Sequence, residues 1–293
     1  MLTTWLREMR ANFLVLSVVL VMIGGAAAWN DGSFKLLLFL VTLFGVTAAH
    51  ISVNLFNEYS DWRTGVDSKT VRTPFSGGSG NLQAGFLKPS QVRIAAWVAL
   101  TAAFLTGLWL TRVSGWPVLV LMAAGGCVTV FYTDYLTKLM LGEFASGITL
   151  GSLVVIGTYY VQTGTFTYGI ICASIPPGLL TMGLLFLNEF PDVEADRYGG
   201  RKHLVIVLGR KKAAYVYVIL LLAVYSVIIL SAFTGTNPKG LLLGLLTLPF
   251  ATAASYRTVR YHEDFNMMVP ALGMNVIVVL ATDFLMALGY VIG

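Results

Sequence analysis

Charge is scarce in this chain. Only 11% of its 293 residues are Asp, Glu, Lys or Arg, and 57% are hydrophobic, with a mean hydropathy of +0.78. Soluble domains carry roughly 25% charged residues, so a water-soluble globular domain is excluded. Cysteine is almost missing as well. Cys127 and Cys172 both fall inside apolar runs, which leaves neither a disulfide framework nor a cysteine zinc site and predicts two small core residues. No low-complexity tail and no polar stretch of domain size interrupts the pattern.

What remains is apolar sequence in long runs. A helix that crosses a bilayer needs ~20 mostly apolar residues. Nine such runs are expected, at 11–29, 35–56, 91–111, 116–133, 142–161, 167–187, 212–233, 240–256 and 267–291. Run 11–29 follows a basic start and carries Ala26-Ala27-Ala28. It exceeds the ~7–15-residue apolar core of a signal peptide, so it reads as a retained helix. Nine spans place 16 of the 19 Lys and Arg on the side of the N-terminus, leaving Lys35, Arg112 and Lys239 opposite. The positive-inside rule then puts the N-terminus and the long polar loops in the cytoplasm, with the cell inner or plasma membrane as location. Topology and lipid account for the pI of 9.2, and nothing is left to argue for nucleic acid. The expectation is one membrane domain, 1–293, of two pseudo-repeated halves, about 1–140 and 141–293. No obligate protein partner is evident.

The few acids are not scattered. Asn57-Glu58-Tyr59-Ser60-Asp61 returns 131 residues later as Asn188-Glu189-Phe190-Pro191-Asp192, each copy closing an apolar run and opening a basic loop. Asn188, Asp192 and Asp196 are spaced i, i+4, i+8, which places them on one helix face. Asn57 and Asp61 repeat the spacing, but position 65 is Gly and Asp67 follows two residues later. Gly65 can end the helix in a left-handed conformation and let Asp67 turn back toward Asp61. Each half thus offers two carboxylates and an amide oxygen. Hard divalent cations take such oxygen ligands, and Mg²⁺ is commonly held by carboxylates together with substrate phosphates. Lys69, Arg72, Arg197, Arg201 and Lys202 stand close by in sequence and suit phosphate oxygens. Salt-bridged loops would use the same residue types, but a repeated pentad at matching membrane depth favours function. The pattern suits a Mg²⁺–diphosphate head with a greasy tail. The loop Thr73-Pro74-Phe75-Ser76-Gly77-Gly78-Ser79-Gly80 reads either as a flexible linker or as a phosphate-facing loop.

These residues resemble the UbiA superfamily of intramembrane prenyltransferases. The match comprises Asn57-x3-Asp61-x5-Asp67-x4-Arg72, Asn188-x3-Asp192-x3-Asp196 with Gly200-Arg201-Lys202, the stretch Tyr132…Lys138…Gly142-Glu143 and the nine-run pattern. The resemblance implies an all-α integral membrane fold, nine transmembrane helices around a central cavity with a cytoplasmic cap of Asp-motif loops. It also implies transfer of an isoprenoid from its diphosphate to an acceptor, usually an aromatic ring. Asn57, Asp61, Asp67, Asp192 and Asp196, with Asn188 beside them, would hold Mg²⁺. Arg72, Lys138 and Arg201 or Lys202 would hold diphosphate, and Arg10 resembles the family's N-terminal Arg. Asp61, Asp192, Lys138 and Tyr132 are the residues expected at the chemistry. Gly65 in place of Asp, with Gly157–Thr163 and Leu204–Gly209, resembles the menaquinone branch, whose acceptor is 1,4-dihydroxy-2-naphthoate. The loop 73–80 departs from that branch's Pro-Gly pattern.

In such a reaction the C–O bond ionises to an allylic cation, and aromatic faces stabilise cations. Tyr132, Tyr159, Tyr160 and Phe186 are candidates, against the plainer reading of packing and interfacial aromatics. No residue stands out as the base. His50, two turns before Asn57, is the one to test. Asp283 lies in the last run without an obvious partner, and His203 and His262 read as loop residues. Three other readings stay open: a cation-coupled transporter, whose sites lie near the midplane on broken helices; prenyl transfer to a non-aromatic lipid; and terpene cyclisation. A CDP-alcohol type lipid enzyme lacks its Asp-Gly-x2-Ala-Arg signature here.

Overall fold

Within lipid a segment must satisfy its own backbone N–H and C=O groups, so apolar runs of this length become helices. A computed structural model describes residues 1–293 and holds twelve α-helices and no strand. They are α1 (Leu2–Glu8), α2 (Val15–Asn30), α3 (Leu36–Thr64), α4 (Pro89–Ser114), α5 (Pro117–Phe131), α6 (Gly142–Ser146), α7 (Leu153–Thr163), α8 (Tyr168–Tyr198), α9 (Leu204–Leu208), α10 (Arg210–Phe233), α11 (Leu248–Tyr261) and α12 (Phe265–Ile292). A π-helical turn, Gly147–Ser152, joins α6 to α7 into one continuous span, Gly142–Thr163. The chain is an all-α integral membrane protein.

Seven helices are long and apolar enough to cross a bilayer. Two of the nine expected runs differ. Run 116–133 yields only α5, 15 residues long, opened by Pro117 and ended before the polar Thr133-Asp134. Run 240–256 is split into a 3-10 stretch, Lys239–Thr247, and α11. Pro249 in the first turn of α11 is compatible with starting an α-helix there, where its missing N–H has no intrahelical partner.

The main core gathers α2, α7, α8, α10, α11 and α12 around Leu20, Ile23, Phe186, Leu187, Tyr217 and Val278, all fully buried. The π turn lies hard against α8. A Cβ on Gly151 would stand 2.6 Å from the Cα of Gly178, so only glycine permits that approach. Across it Ser152 Oγ donates to the carbonyl of Ser174, 2.9 Å away. Helices α3 and α4 pair along their length and, with α5, form a thinner wall bearing many exposed apolar residues, among them Leu40, Phe44 and Leu105. Cys127 belongs to this exposed wall and Cys172 is half-buried, so neither is the core residue expected. Between wall and core lies a cavity of about 720 Å³. Its lower part is apolar, lined by Leu100, Leu121, Met122, Val154 and Leu184, and its polar end meets the acidic elements.

Candidate active site

The polar end is built where α3 and α8 run out. Gly65, at φ 76°, caps α3 in the left-handed conformation, and the 3-10 turn Val66–Ser68 then carries Asp67 into the cavity wall. On the other side α8 continues through Pro191 to Tyr198, which keeps Asn188, Asp192 and Asp196 on one face, all three in the wall. The chain turns back as the Arg201 N–H donates to the Asp196 carbonyl, 2.9 Å away. Asn57, Asp61, Asp67, Asn188, Asp192 and Asp196 thus converge from two halves of the sequence on one cavity end.

Arg201 ties the halves together. Its Nη1 donates to Asp196 Oδ1 at 2.7 Å and its Nη2 to Asp61 Oδ1. Burial by itself would lower the guanidinium's pKa, but the charges of Asp61 and Asp196 outweigh it and raise it. Asn57 Oδ1 accepts from Thr133 Oγ1. Asp67 is 4% exposed and its Oδ2 accepts from Gln83 Nε2 at 2.9 Å. Desolvation, and then the nearby charges of Asp61 and Glu58, push its carboxyl up to about 7.

The loop after Asp67 is tied by hydrogen bonds within itself and to the site. Thr73 Oγ1 accepts from the N–H groups of Phe75 and Ser76 at 3.0 and 2.8 Å, and Phe75 to Gly78 enter the wall. A clamp holds it down. Glu58 accepts from Arg10 at 2.7 Å and from the Ser79 N–H at 2.9 Å, while Glu8 accepts from Ser79 Oγ at 2.7 Å and Asn81 Nδ2 at 3.0 Å. The linker reading of this segment does not fit.

Beside Asp196, and also in the cavity wall, lies a further set of buried groups, Glu143, Glu189 and His203. His203 Nε2 stands 3.3 Å from Asp196 Oδ2 and its Nδ1 3.5 Å from Glu189 Oε2. Glu143 Oε1 accepts from the Leu204 N–H at 2.6 Å. His203 is thus not the loop residue expected: it is the buried N-cap of α9, docked against α8. His262 does lie outside the site, bonding to the Val259 carbonyl.

The expected cations divide. Arg201 and Arg10 line the cavity. Lys69, Arg72, Lys138, Arg197 and Lys202 are exposed and outside its wall. Arg197 pairs with Glu194 at 3.5 Å, Lys69 lies 5.8 Å from the Tyr198 ring, and Arg72 Nη2 is 3.5 Å from Gln83 Oε1. The aromatic candidates divide too. Tyr132 lines the cavity. Tyr159 donates to Asp31 at 2.5 Å, Tyr160 stacks on Phe166 at 4.4 Å and Phe186 packs against Phe190, all three off the wall. Trp97 and Phe104, which the sequence did not single out, are in it.

The donor set suits a hard cation. Of the repeated motif residues, Asn188 Oδ1 and Asp192 Oδ1 are sealed from solvent and have no hydrogen-bond partner, while Glu143 and Glu189 group instead with His203, their ligand atoms within 4.8 Å of one another. Buried oxygens without partners are costly, and oxygen-only ligands from carboxylates and amides are what Mg²⁺ takes.

The model of the UbiA prenyltransferase family matches residues 17–269. The chain is 29% identical over 263 residues to the 1,4-dihydroxy-2-naphthoate octaprenyltransferase of Bacillus subtilis, covering 89% of this chain and 83% of that one. It is 26% identical to the 2-carboxy-1,4-naphthoquinone phytyltransferase of Synechocystis, over 98% of this chain and 92% of the relative. Among solved structures, the fold matches an apo UbiA homolog from Aeropyrum pernix with a TM-score of 0.67 at 18% identity, covering 91% and 98% of the two chains. It also matches a UbiA homolog from Archaeoglobus fulgidus bound to GPP and Mg²⁺, with a TM-score of 0.61 at 12% identity over 97% and 99%. With the family model spanning most of its length and its acids gathered over an apolar cavity, the chain belongs to the UbiA prenyltransferase family and is a prenyltransferase.

Proposed function

We propose that this enzyme transfers an isoprenoid from a prenyl diphosphate to an aromatic quinone precursor of the naphthoate class, with Mg²⁺ as cofactor. The observation that carries the reading is the junction of the two acidic elements over one apolar cavity, with Asn188 Oδ1 and Asp192 Oδ1 unpartnered in its wall. The relatives named for dihydroxynaphthoate and naphthoquinone substrates support the acceptor class, and the GPP- and Mg²⁺-bound homolog supports the donor.

Asn57, Asp61, Asp67, Asn188, Asp192 and Asp196 would hold the metal. Bound there, Mg²⁺ supplies Lewis-acid neutralisation of the leaving diphosphate. The remaining work falls to the chain. Arg201 and Arg10 place positive charge where the diphosphate gains negative charge. Lys69, Arg72, Lys138, Arg197 and Lys202, on the exposed rim, meet phosphate oxygens as the head group enters. The apolar walls hold the tail and exclude water, which would otherwise capture the allylic cation. The faces of Tyr132, Trp97 and Phe104 stabilise that cation. The excess of Lys and Arg on the side of the acidic loops supports a cytoplasmic position for α1 and the Asp-motif loops, at the plasma membrane. The chain is then one membrane domain of two related halves, about 1–140 and 141–293, with α5 and the Lys239–Tyr261 segment completing a ring of nine.

Product mass spectrometry tests the reading. Detergent-purified protein is incubated with Mg²⁺, geranylgeranyl diphosphate and 1,4-dihydroxy-2-naphthoate, beside other phenolic acceptors and a no-acceptor control. A prenylated naphthoate is the expected product. Hydrocarbon without adduct means a cyclase instead, and no consumption of diphosphate overturns prenyl transfer by this chain.

A further inference from the structure

The wall of the cavity below the acidic end carries one imidazole. His50 lies on α3 and is 6% exposed. Its Nδ1 is 2.8 Å from Oγ of Ser17 on α2, which is itself fully buried. That is the only side-chain hydrogen bond His50 makes, yet Nε2 is not among the polar atoms sealed from solvent, and His50 lines the cavity. Nε2 is therefore open to the cavity. The other polar groups at this level are occupied or much less basic. Asn54 Nδ2 donates to the Met9 carbonyl, Thr42 donates to the Leu38 carbonyl and Thr158 to the Val154 carbonyl. His50 precedes Asn57 by seven residues, which at 1.5 Å per residue sets it about 10 Å below the acidic end. That separation leaves room for an aromatic ring between the acidic end and His50 in a cavity of about 720 Å³.

We propose that His50 is a catalytic residue of the prenyl transfer: Nε2 binds a hydroxyl of the acceptor ring and takes its proton as the ring attacks, with Ser17 fixing the imidazole. This rests on the prenyl-transfer reading above. With Nδ1–H donating to Ser17 Oγ, Nε2 presents its lone pair to the cavity. The allylic C–O bond breaks and its electron pair leaves on the diphosphate. A π pair of the ring forms the new C–C bond as the hydroxyl proton passes to Nε2, leaving a ring carbonyl. The ring carbon then loses its hydrogen as a proton to a diphosphate oxygen, and Nε2 returns its proton to the ring oxygen. The net change is one C–O bond broken, one C–C bond formed and one proton moved from carbon to diphosphate.

The test compares wild type with His50→Ala, His50→Gln and Ser17→Ala, following adduct, free prenyl alcohol and diphosphate release together. Loss of a proton acceptor lowers kcat/KM for the acceptor by about 10²-fold. Binding of prenyl diphosphate is unchanged, and a larger share of the released prenyl group ends as alcohol. Added imidazole restores adduct in His50→Ala. Ser17→Ala moves the same ratio less. A residue that only packs α3 against α2 would change the melting temperature and not this partition. If His50→Ala and His50→Gln keep the wild-type kcat, KM and adduct-to-alcohol ratio, or if imidazole leaves His50→Ala unrescued, the proposal is overturned. Wild-type protein that makes no adduct overturns the prenyl-transfer reading instead, so the two failures are told apart.

Discussion

Arg201 and Asp61 form an ion pair between opposite halves of the chain, and the same guanidinium holds Asp196 at 2.7 Å. With its side chain only 19% exposed, Arg201 neutralises two carboxylates that would otherwise repel each other in a low dielectric. Arg201→Ala removes the one guanidinium that bridges the two carboxylates, leaving Asp196 only His203 beside it, and breaking a buried pair in this way costs about 3–5 kcal/mol. The expected outcome is a lower melting temperature in detergent together with loss of turnover. Arg201→Lys keeps one charge but loses the fork that reaches both partners, and should recover stability better than activity. Equal recovery of both would mean that the paired geometry does not matter to the reaction.

Asp192 differs from Asp61 in having no such partner. Its Oδ1 is buried and makes no hydrogen bond, whereas Asp61 accepts from Arg201. Removing the two side chains should therefore separate function from stability. Asp192→Ala abolishes turnover and leaves the metal-free melting temperature equal or higher, because an unsatisfied buried group costs about 1–3 kcal/mol. Asp61→Ala abolishes turnover and also lowers the melting temperature. Near wild-type activity in either variant would refute the shared metal site, and identical melting behaviour would refute the asymmetry.

Asp67 gives the metal-free protein a pH dependence of definite sign. Burial raises its carboxyl from an ordinary value of 3.8 to about 7, so the folded state holds its proton more tightly than the unfolded chain does. Stability from this group is fully present below the unfolded pKa and is lost as pH rises through about 7. Melting curves across that window should fall with pH in wild type and flatten in Asp67→Asn. Metal binding must displace the same proton, so Mg²⁺ affinity should rise over the same window. A melting temperature that climbs with pH in wild type but not in Asp67→Asn would contradict the assignment.

Much of this site was legible because helix periodicity is written in the sequence. The i, i+4, i+8 spacing of Asn188, Asp192 and Asp196 survives unchanged in α8, and Gly65 caps α3 in the left-handed conformation that the spacing called for. Loop cations were not legible in the same way. Sequence proximity put Lys69, Arg72, Arg197 and Lys202 beside the acids, but in a loop it does not say which way a side chain points, and only Arg201 turns inward with Arg10. His203 went unrecognised because its burial depends on α9 docking against α8, a contact between segments that no local pattern records. Cys127 shows the limit of hydropathy in lipid: the solvent is as apolar as the core, so an apolar run does not distinguish the exposed face of α5 from its packed one.

Asp283 is the remaining buried carboxyl, and its place in the fold argues against a part in the reaction. It sits in α12, fully buried, with both oxygens unpartnered, and it is absent from the cavity wall. No cation lies in the same helix, Phe265–Ile292. Its neighbour Thr282 is engaged with Thr247, at 2.7 Å, in the link between α12 and the 3-10 stretch. A carboxyl in such a setting costs stability relative to an apolar group of similar size. Asp283→Leu should therefore raise the melting temperature, by the equivalent of about 1–3 kcal/mol, while turnover stays at the wild-type level. Asp283→Asn, which keeps the size and the need for hydrogen bonds, should gain less. Thermal melts and steady-state rates on the two variants decide it: a loss of turnover in both, without a change in melting temperature, would place Asp283 in the chemistry after all.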